Sequence, residues 1–331
     1  MQLFNKHNNG SQELVQVLGL IDDDLPFSKW APIIPLGIRD LKVIVGSDVI
    51  AALDDFYQHC DDPDFTASAG SPVAPTASAG SAGGNMHEAV RLAQQAAAMF
   101  TWLKVIPTLD AQHSAAGRAK RLGENEHGMT AVQEFKDEDN IRSMAYQATD
   151  MLIAYLDEQQ FTFWISSERC KRRDQLLIPS KDVFDEYYVI GSHRLFLTLV
   201  PMIRETQDSD IIPIITRERY ERLLAADPDL TPILLDAVRR PLALLTMVKA
   251  VERLPIEVLP DGIVQVQQSQ TVRDKLRAER EARQAVASAL SSDAARYLQH
   301  LTDLVAELDK ASAVPDYHVP APTLQSHGIT F

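Results

Sequence analysis

With 331 residues, 45% of them hydrophobic, the chain is long enough for one large core or two ordinary ones. Its formal net charge of −14 repels a polyanion. That argues against a protein that grips nucleic acid through its phosphates, though not against a passage that DNA slips through. Two distant cysteines, Cys60 and Cys170, argue against a disulfide scaffold or a cysteine zinc site.

No run of about 18 apolar residues predicts a membrane span. The opening MQLFNKHNNGSQELVQ lacks a charged-then-apolar leader. The expected place is therefore the cytoplasm or a particle assembled there. In chain order, Ile38 to Tyr57 carries apolar residues near a 3.6-residue period. Gly46-Ser47-Asp48 interrupts it, and Ser47 or Asp48 is placed to cap a second short helix. Ala67 to Gly84, ASAGSPVAPTASAGSAGG, has too little apolar surface to offset the entropy of ordering and reads as a flexible insertion. Met86 to Ile106 is a helix that Pro107 is expected to stop. Asn140 to Gln160 is another, and Phe161 to Ile165 reads as extended or end-packed.

In the second half, Tyr187 to Ile203 is apolar, and Ile211 to Ile215 reads as a buried turn or short extended piece. Thr216 to Leu224 is a short helix, Leu230 to Leu254 a long one, and Thr271 to Lys310 the longest. The last begins with RDKLRAEREARQ, charged enough to be solvent-exposed or to lie at a subunit contact.

The chain repeats itself. At a constant offset of 148, Ala89-Val90-Arg91 matches Ala237-Val238-Arg239, Met99 matches Met247 and Pro107 matches Pro255. Upstream, Ile38-Arg39-Asp40 parallels Ile203-Arg204-Glu205. Gly46-Ser47-Asp48 parallels Thr216-Arg217-Glu218, with five residues inserted in the later copy. A glycine-containing excursion (Gly117; Gly262) precedes each long helix. The fold class expected is mainly α: two tandem copies of a small helical unit with short extended excursions.

Catalytic signals are poor. The Gly-rich stretch lacks the GK[ST] ending of a phosphate loop, His87-Glu88 lacks the second zincin histidine, and no GxSxG elbow occurs. His113 and His127 read as surface residues. Cys170 lies among cations that would lower a thiol pKa but has no evident histidine base. No catalytic residue, cofactor or metal is expected. The candidate interface residues are few. The basic cluster Arg169, Lys171, Arg172 and Arg173 reads as a solvated junction between the units or as a contact to an acidic partner or to DNA in a channel. Phe163 and Trp164 read as core or as an anchor at a subunit interface, and Tyr317 and Phe331 belong to a proline-rich tail that either frays or docks on a neighbour. Asp22 to Asp24 and Asp61-Asp62 read as caps and turns, or as rim charges between subunits.

The run FSKWAPIIPLGIRDLKVIVGSDVIAALDDFY (Phe27 to Tyr57), the helix ending at Pro107, YLDEQQFTFWISSE ending at Glu168, and FDEYYVIGSHRLFLTLVPMIRE carry a family pattern. Over residues 27 to 260 the chain resembles phage and prophage head–tail connector (adaptor) proteins. The resemblance implies a virion structural protein of the phage neck, assembled in the host cytoplasm as a homo-oligomeric ring. Its partners would be the portal and a tail or second neck protein, with DNA only as passing cargo and no membrane. A tail-completion protein or a cytoplasmic helical binding module outside phages is the alternative. The division expected is an N-terminal arm (1–26), unit 1 (27–168, with the insertion at 67–84), a junction (169–183), unit 2 (184–310) and a C-terminal arm (311–331).

Overall fold

The computed structural model describes residues 3–19, 25–61, 82–114, 117–120, 130–255 and 272–312. The protein is mainly helical, and its buried apolar residues form two clusters. One draws on residues from Leu3 to Cys170 together with Leu197, the other on residues from Leu176 to Val305.

Unit 1 opens with α1 (Gln12–Leu18) and a short α2 (Phe27–Trp30). Leu3, Phe4, Leu14 and Leu18 are buried in the first cluster, and Gln94 donates to the Leu3 carbonyl at 2.6 Å. Residues 3–19 of the expected arm are thus packed on unit 1. Then come α3 (Ile34–Val45) and α4 (Ser47–His59), followed by the central helix α5 (Ala82–Asp110) and the long helix α6 (Ala131–Gln159). Between the last two, β1 (Ala111–Ser114) pairs antiparallel with β2 (Gly117–Lys120).

After the short helices α7 (Thr162–Ile165), α8 (Glu168–Lys171) and α9 (Lys181–Asp185), unit 2 has the same order. Its first helix is α10 (His193–Thr206), extended by a π-helical turn (Gln207–Ile211) and α11 (Ile212–Ile215). Next are α12 (Arg217–Leu224), the central helix α13 (Thr231–Arg253) and the long helix α14 (Val272–Ser312). In both units the first helix lies on the central one, and the long helix packs along it.

Burial follows the repeat. At the 148 offset, Met86, Val90, Ala93, Ala98 and Met99 of α5 and Leu234, Val238, Pro241, Thr246 and Met247 of α13 are all buried. Ala145, Leu152 and Leu156 of α6 correspond, at an offset of 149, to Ala294, Leu301 and Val305 of α14, again all buried. Ile34, Ile38 and Leu41 of α3 match Leu199, Ile203 and Thr206 of α10, at an offset of 165. The five extra residues of the second copy fall where the first helix is extended by the five-residue π-helical turn.

The backbone repeats as well. Gly46, between α3 and α4, has φ 116 and ψ 147; Thr216, between α11 and α12, has φ 74 and ψ 156. Each N–H returns to a carbonyl four residues back, Gly46 to Lys42 and Thr216 to Ile212, both at 2.9 Å. An acid of each first helix ties to a base of the central helix. Asp40 meets Lys104 at 2.6 Å, and Glu205 meets Arg253 at 2.5 Å.

Several local expectations need correction. Pro107 does not stop the central helix: α5 continues to Asp110, since a proline in the last turn removes only one intrahelical bond. Its start at Ala82 takes in Gly83 and Gly84 of the expected insertion. The break at Gly46 is real, but neither Ser47 nor Asp48 caps it; α4 begins at Ser47 after the glycine. The apolar stretch from Tyr187 becomes helical only at His193, and Ile212–Ile215 is helical rather than extended. The long helix α6 starts nine residues before Asn140, where Thr130 and Gln133 form a reciprocal capping box. Phe161 to Ile165 is not extended: Thr162–Ile165 forms a short helix, α7. Most of the Ala/Ser/Gly insertion, Asp22 to Asp24, Asp62, His127, Gly262 and nearly all of the C-terminal arm lie outside the described residues.

Candidate functional site: the junction between the units

The chain turns sharply after α6. Gln160 adopts a left-handed φ of 53, and α7 folds back to bury Phe163 and Trp164 in the first core. A serine-capped turn of helix follows, α8 (Glu168–Lys171), with Ser167 Oγ accepting from the Cys170 N–H. This return brings the basic cluster beside the carboxylate of Asp157.

Asp157 gathers partners from three segments, two of them hydrogen-bond donors. Trp164 Nε1 donates to Oδ1 at 2.7 Å, and Arg173 donates from Nη2 to Oδ1 at 2.7 Å and from Nη1 to Oδ2 at 3.1 Å. His193 Nδ1, at the first residue of α10, stands 3.7 Å from Oδ2, a distance for electrostatic contact rather than a hydrogen bond. Burial works to raise the pKa of Asp157. His193, Arg173 and Trp164 more than reverse it, holding the carboxyl down at about 2. Arg173 is raised against its own burial by the same pairing. The fork geometry is bidentate, the strong form of an ion pair.

Asp150, two turns earlier on α6, makes the second tie. It accepts from Ser192 Oγ at 2.9 and 3.0 Å and from the Arg194 N–H at 2.6 Å. An acid of unit 1 thereby sits at the N-terminus of unit 2's first helix, where backbone donors are unpaired and negative charge is favoured. The Arg194 guanidinium lies 4.0 Å from the Tyr146 ring centroid. Leu197 of α10 belongs to the first core. The units are therefore joined by side chains of α6 and α10 as well as by the chain between them.

A cleft of about 550 Å³ opens at this joint. Asp157, Glu158, Cys170, Lys181, Asp182 and His193 are among its lining residues. The Cys170 thiol lies 2.8 Å from Arg173 Nη2, yet burial pushes its pKa up, which overturns the expectation that neighbouring cations lower it. Trp164 and Arg173 fill three of the roughly four acceptor sites of the Asp157 carboxylate. What the arrangement can do is hold two helical units at a fixed angle.

The remaining candidates divide. Arg169 donates to the Val43 carbonyl at 2.5 Å and so ties α8 to the end of α3. Lys171 pairs with Glu168 at 3.7 Å, and the Arg172 carbonyl accepts from Arg204 at 2.9 Å. Of the expected positive patch, Arg169 and Arg173 are engaged within the chain, while Lys171 and Arg172 are exposed. Phe163 and Trp164 are core residues, not exposed anchors, because α7 folds back against α4. Tyr317 and Phe331 lie outside the described residues. The residues overlooked in the sequence are Asp150, Asp157 and His193. Their signal was faint: acids at helical spacing on α6, and Ser192 ahead of an apolar helix.

Among the described residues, no group of three or more His, Cys, Asp or Glu side chains is placed to hold a metal. Among them too, no helix is long and apolar enough to cross a membrane. No curated protein and no solved structure matches the chain. Residues 70–174 and 213–321 match one family model, each stretch containing the central and long helices of one unit, which is compatible with a tandem repeat. The chain thus belongs to a family of unknown function, DUF6712.

Proposed function

We propose that the protein is a virion structural component, a head–tail connector (neck adaptor) that forms a ring between portal and tail. The observation that carries this reading is the duplication. One helical unit stands twice in the chain, each copy has its own core, and ion-paired and capping side chains lock the two together. Such a chain is suited to building a wall. The resemblance of residues 27 to 260 to connector proteins supports the same role. The net charge of −14 suits a channel that DNA traverses without adhering.

The ring would bind portal on one side and a tail or second neck protein on the other, in particles assembled in the host cytoplasm. The test is the mass of the purified full chain by light scattering, alone and mixed with a phage portal protein, followed by electron microscopy of the particle neck. A ring-sized complex that seats on portal is the expected result. A chain that stays monomeric and ignores portal overturns the reading.

A further inference from the structure

Leu3 and Phe4 are buried in the first core, and they carry the residues after them onto the end of α4. There the Lys6 N–H donates to Tyr57 Oη at 3.0 Å, and Tyr57 Oη donates to the Glu13 carboxylate at 2.7 Å. Glu13 Oε2 in turn accepts from the Asn5 N–H at 2.6 Å. The Lys6 side chain is 13% exposed, and its ammonium group pairs with Asp61 at 2.9 Å. Nζ also donates to Cys60 Sγ at 3.5 Å, so an amine is held against a thiol from fifty-four residues away in the chain. Both groups line a pocket of about 500 Å³, and Cys60 is half-buried, so a small solute reaches them.

Packing does not require this pair. Leu3, Phe4 and Glu13 already fasten the segment, and sulfur is a weak acceptor that adds little. We infer that Lys6 and Cys60 are a modification site, at which a hydroperoxide converts the amine–thiol contact into a covalent sulfur–nitrogen link. The Cys60 thiolate attacks one peroxide oxygen. An S–O bond forms and the O–O bond breaks; sulfur is oxidised by two electrons and the peroxide is reduced. The leaving hydroxide takes a proton from the Lys6 ammonium, which yields water and a neutral amine beside the sulfenic acid. The amine nitrogen then attacks sulfur, the S–O bond breaks, and the hydroxyl group leaves with an amine proton as a second water. The product is a sulfenamide, a known fate of a sulfenic acid that meets a nitrogen. Two thiols restore the pair by successive attack on sulfur and leave as a disulfide.

Cys170 is the internal contrast. Its partner is Arg173 Nη2 at 2.8 Å, and a guanidinium stays protonated and cannot attack sulfur. The thiol is also buried. The link at Lys6 closes a covalent loop between the N-terminal segment and α4, which restricts the unfolded chain. It does not depend on the ring.

The test is hydrogen peroxide added to the purified full chain, followed by digestion and mass spectrometry without reductant. The expected product is a Lys6 peptide joined to a Cys60 peptide, lighter than their sum by two hydrogens and released by dithiothreitol, with Cys170 unmodified. The thermal midpoint of the oxidised chain should rise by roughly 5 °C and fall back on reduction. Lys6→Arg keeps a cation beside the thiol but removes the attacking amine. That variant should form no link, and dimedone should capture Cys60 as its sulfenic acid. Peptides that stay separate in the wild-type chain, whether Cys60 is oxidised or untouched, overturn the inference and leave the ring reading as it was. A link that persists in Lys6→Arg overturns it as well.

Discussion

Helix α3 lies on α5 through a glycine, whereas its twin α10 lies against the second core through a methionine. A Cβ on Gly37 would sit 2.2 Å from Thr101 Oγ1 and 2.9 Å from the Ala97 carbonyl, so the two helices nearly touch there. The counterpart of Gly37 is Met202, half-buried against the second cluster. Unit 1 thus holds its first helix by close backbone approach. Unit 2 shares its first helix with unit 1, through Leu197, Asp150 and Tyr146. Duplication kept the topology and let the fastening diverge, and the strongest polar fastening fell at the joint.

The largest effect should therefore come from Arg173→Ala. It leaves the Asp157 carboxylate half-enclosed and without its bidentate partner; side-chain exposures of 11% and 24% place the pair mostly out of water. Urea unfolding should show a loss of about 3 kcal/mol. In unit 2, Arg253→Ala removes the analogous tie to Glu205, but both side chains are nearly half-exposed. That variant should leave the midpoint within error of wild type. Equal losses from the two variants would remove the distinction between joint and unit.

Next is Gly37→Ala, expected to cost about 2 kcal/mol, because the methyl group collides with helix backbone that cannot swing aside. Met202→Leu, a swap of similar volume, should cost less than about 1.5 kcal/mol. Thermal melting of both variants sharpens the comparison: a tolerated alanine at position 37 would mean that α3 is not locked on α5.

The repeat itself was legible before any coordinates, and the reason is specific. Ungapped identity along α5 and α13 places side chains on a buried face, where Val90 and Val238 or Met99 and Met247 are held by the same packing. The five-residue insertion was legible for the same reason, because Leu53 and Leu223 both have to face inward. The joint was not. Asp157 and Arg173 are sixteen residues apart and meet only because Gln160 turns left-handed and a four-residue helix folds back, and no periodicity can report a helix that short. The early start of α6 escaped because its first turns bury little, so hydrophobic spacing was silent there although Thr130 and Gln133 spell a capping box.

Acid should act through the joint more than through either core. The folded-state pKa of Asp157, about 2, lies below its ordinary value of 3.8, so the carboxylate stabilises the fold above that ordinary value. The contribution is lost as pH falls from 3.8 through about 2. Discounted for its partial exposure, the effect is about 1 to 2 kcal/mol. Asp157→Asn should be less stable than wild type at neutral pH, and that gap should narrow by the same amount across this window in urea titrations. A gap that stays constant to pH 2 would mean that the carboxylate is not held by Arg173.

A change of the opposite sign belongs to the two hinge residues between first and second helices. Gly46 and Thr216 share a backbone region that glycine enters freely and threonine does not. Thr216 persists there because Ile215 and Tyr220, one on each side, are buried in the second core and dictate the turn. Thr216→Gly should relieve that strain, offset in part by the greater freedom of glycine in the unfolded chain, for a net gain of about 1 kcal/mol. A loss instead would mean that the threonine side chain supports the turn, and the equivalence of the two hinges would hold for backbone shape alone.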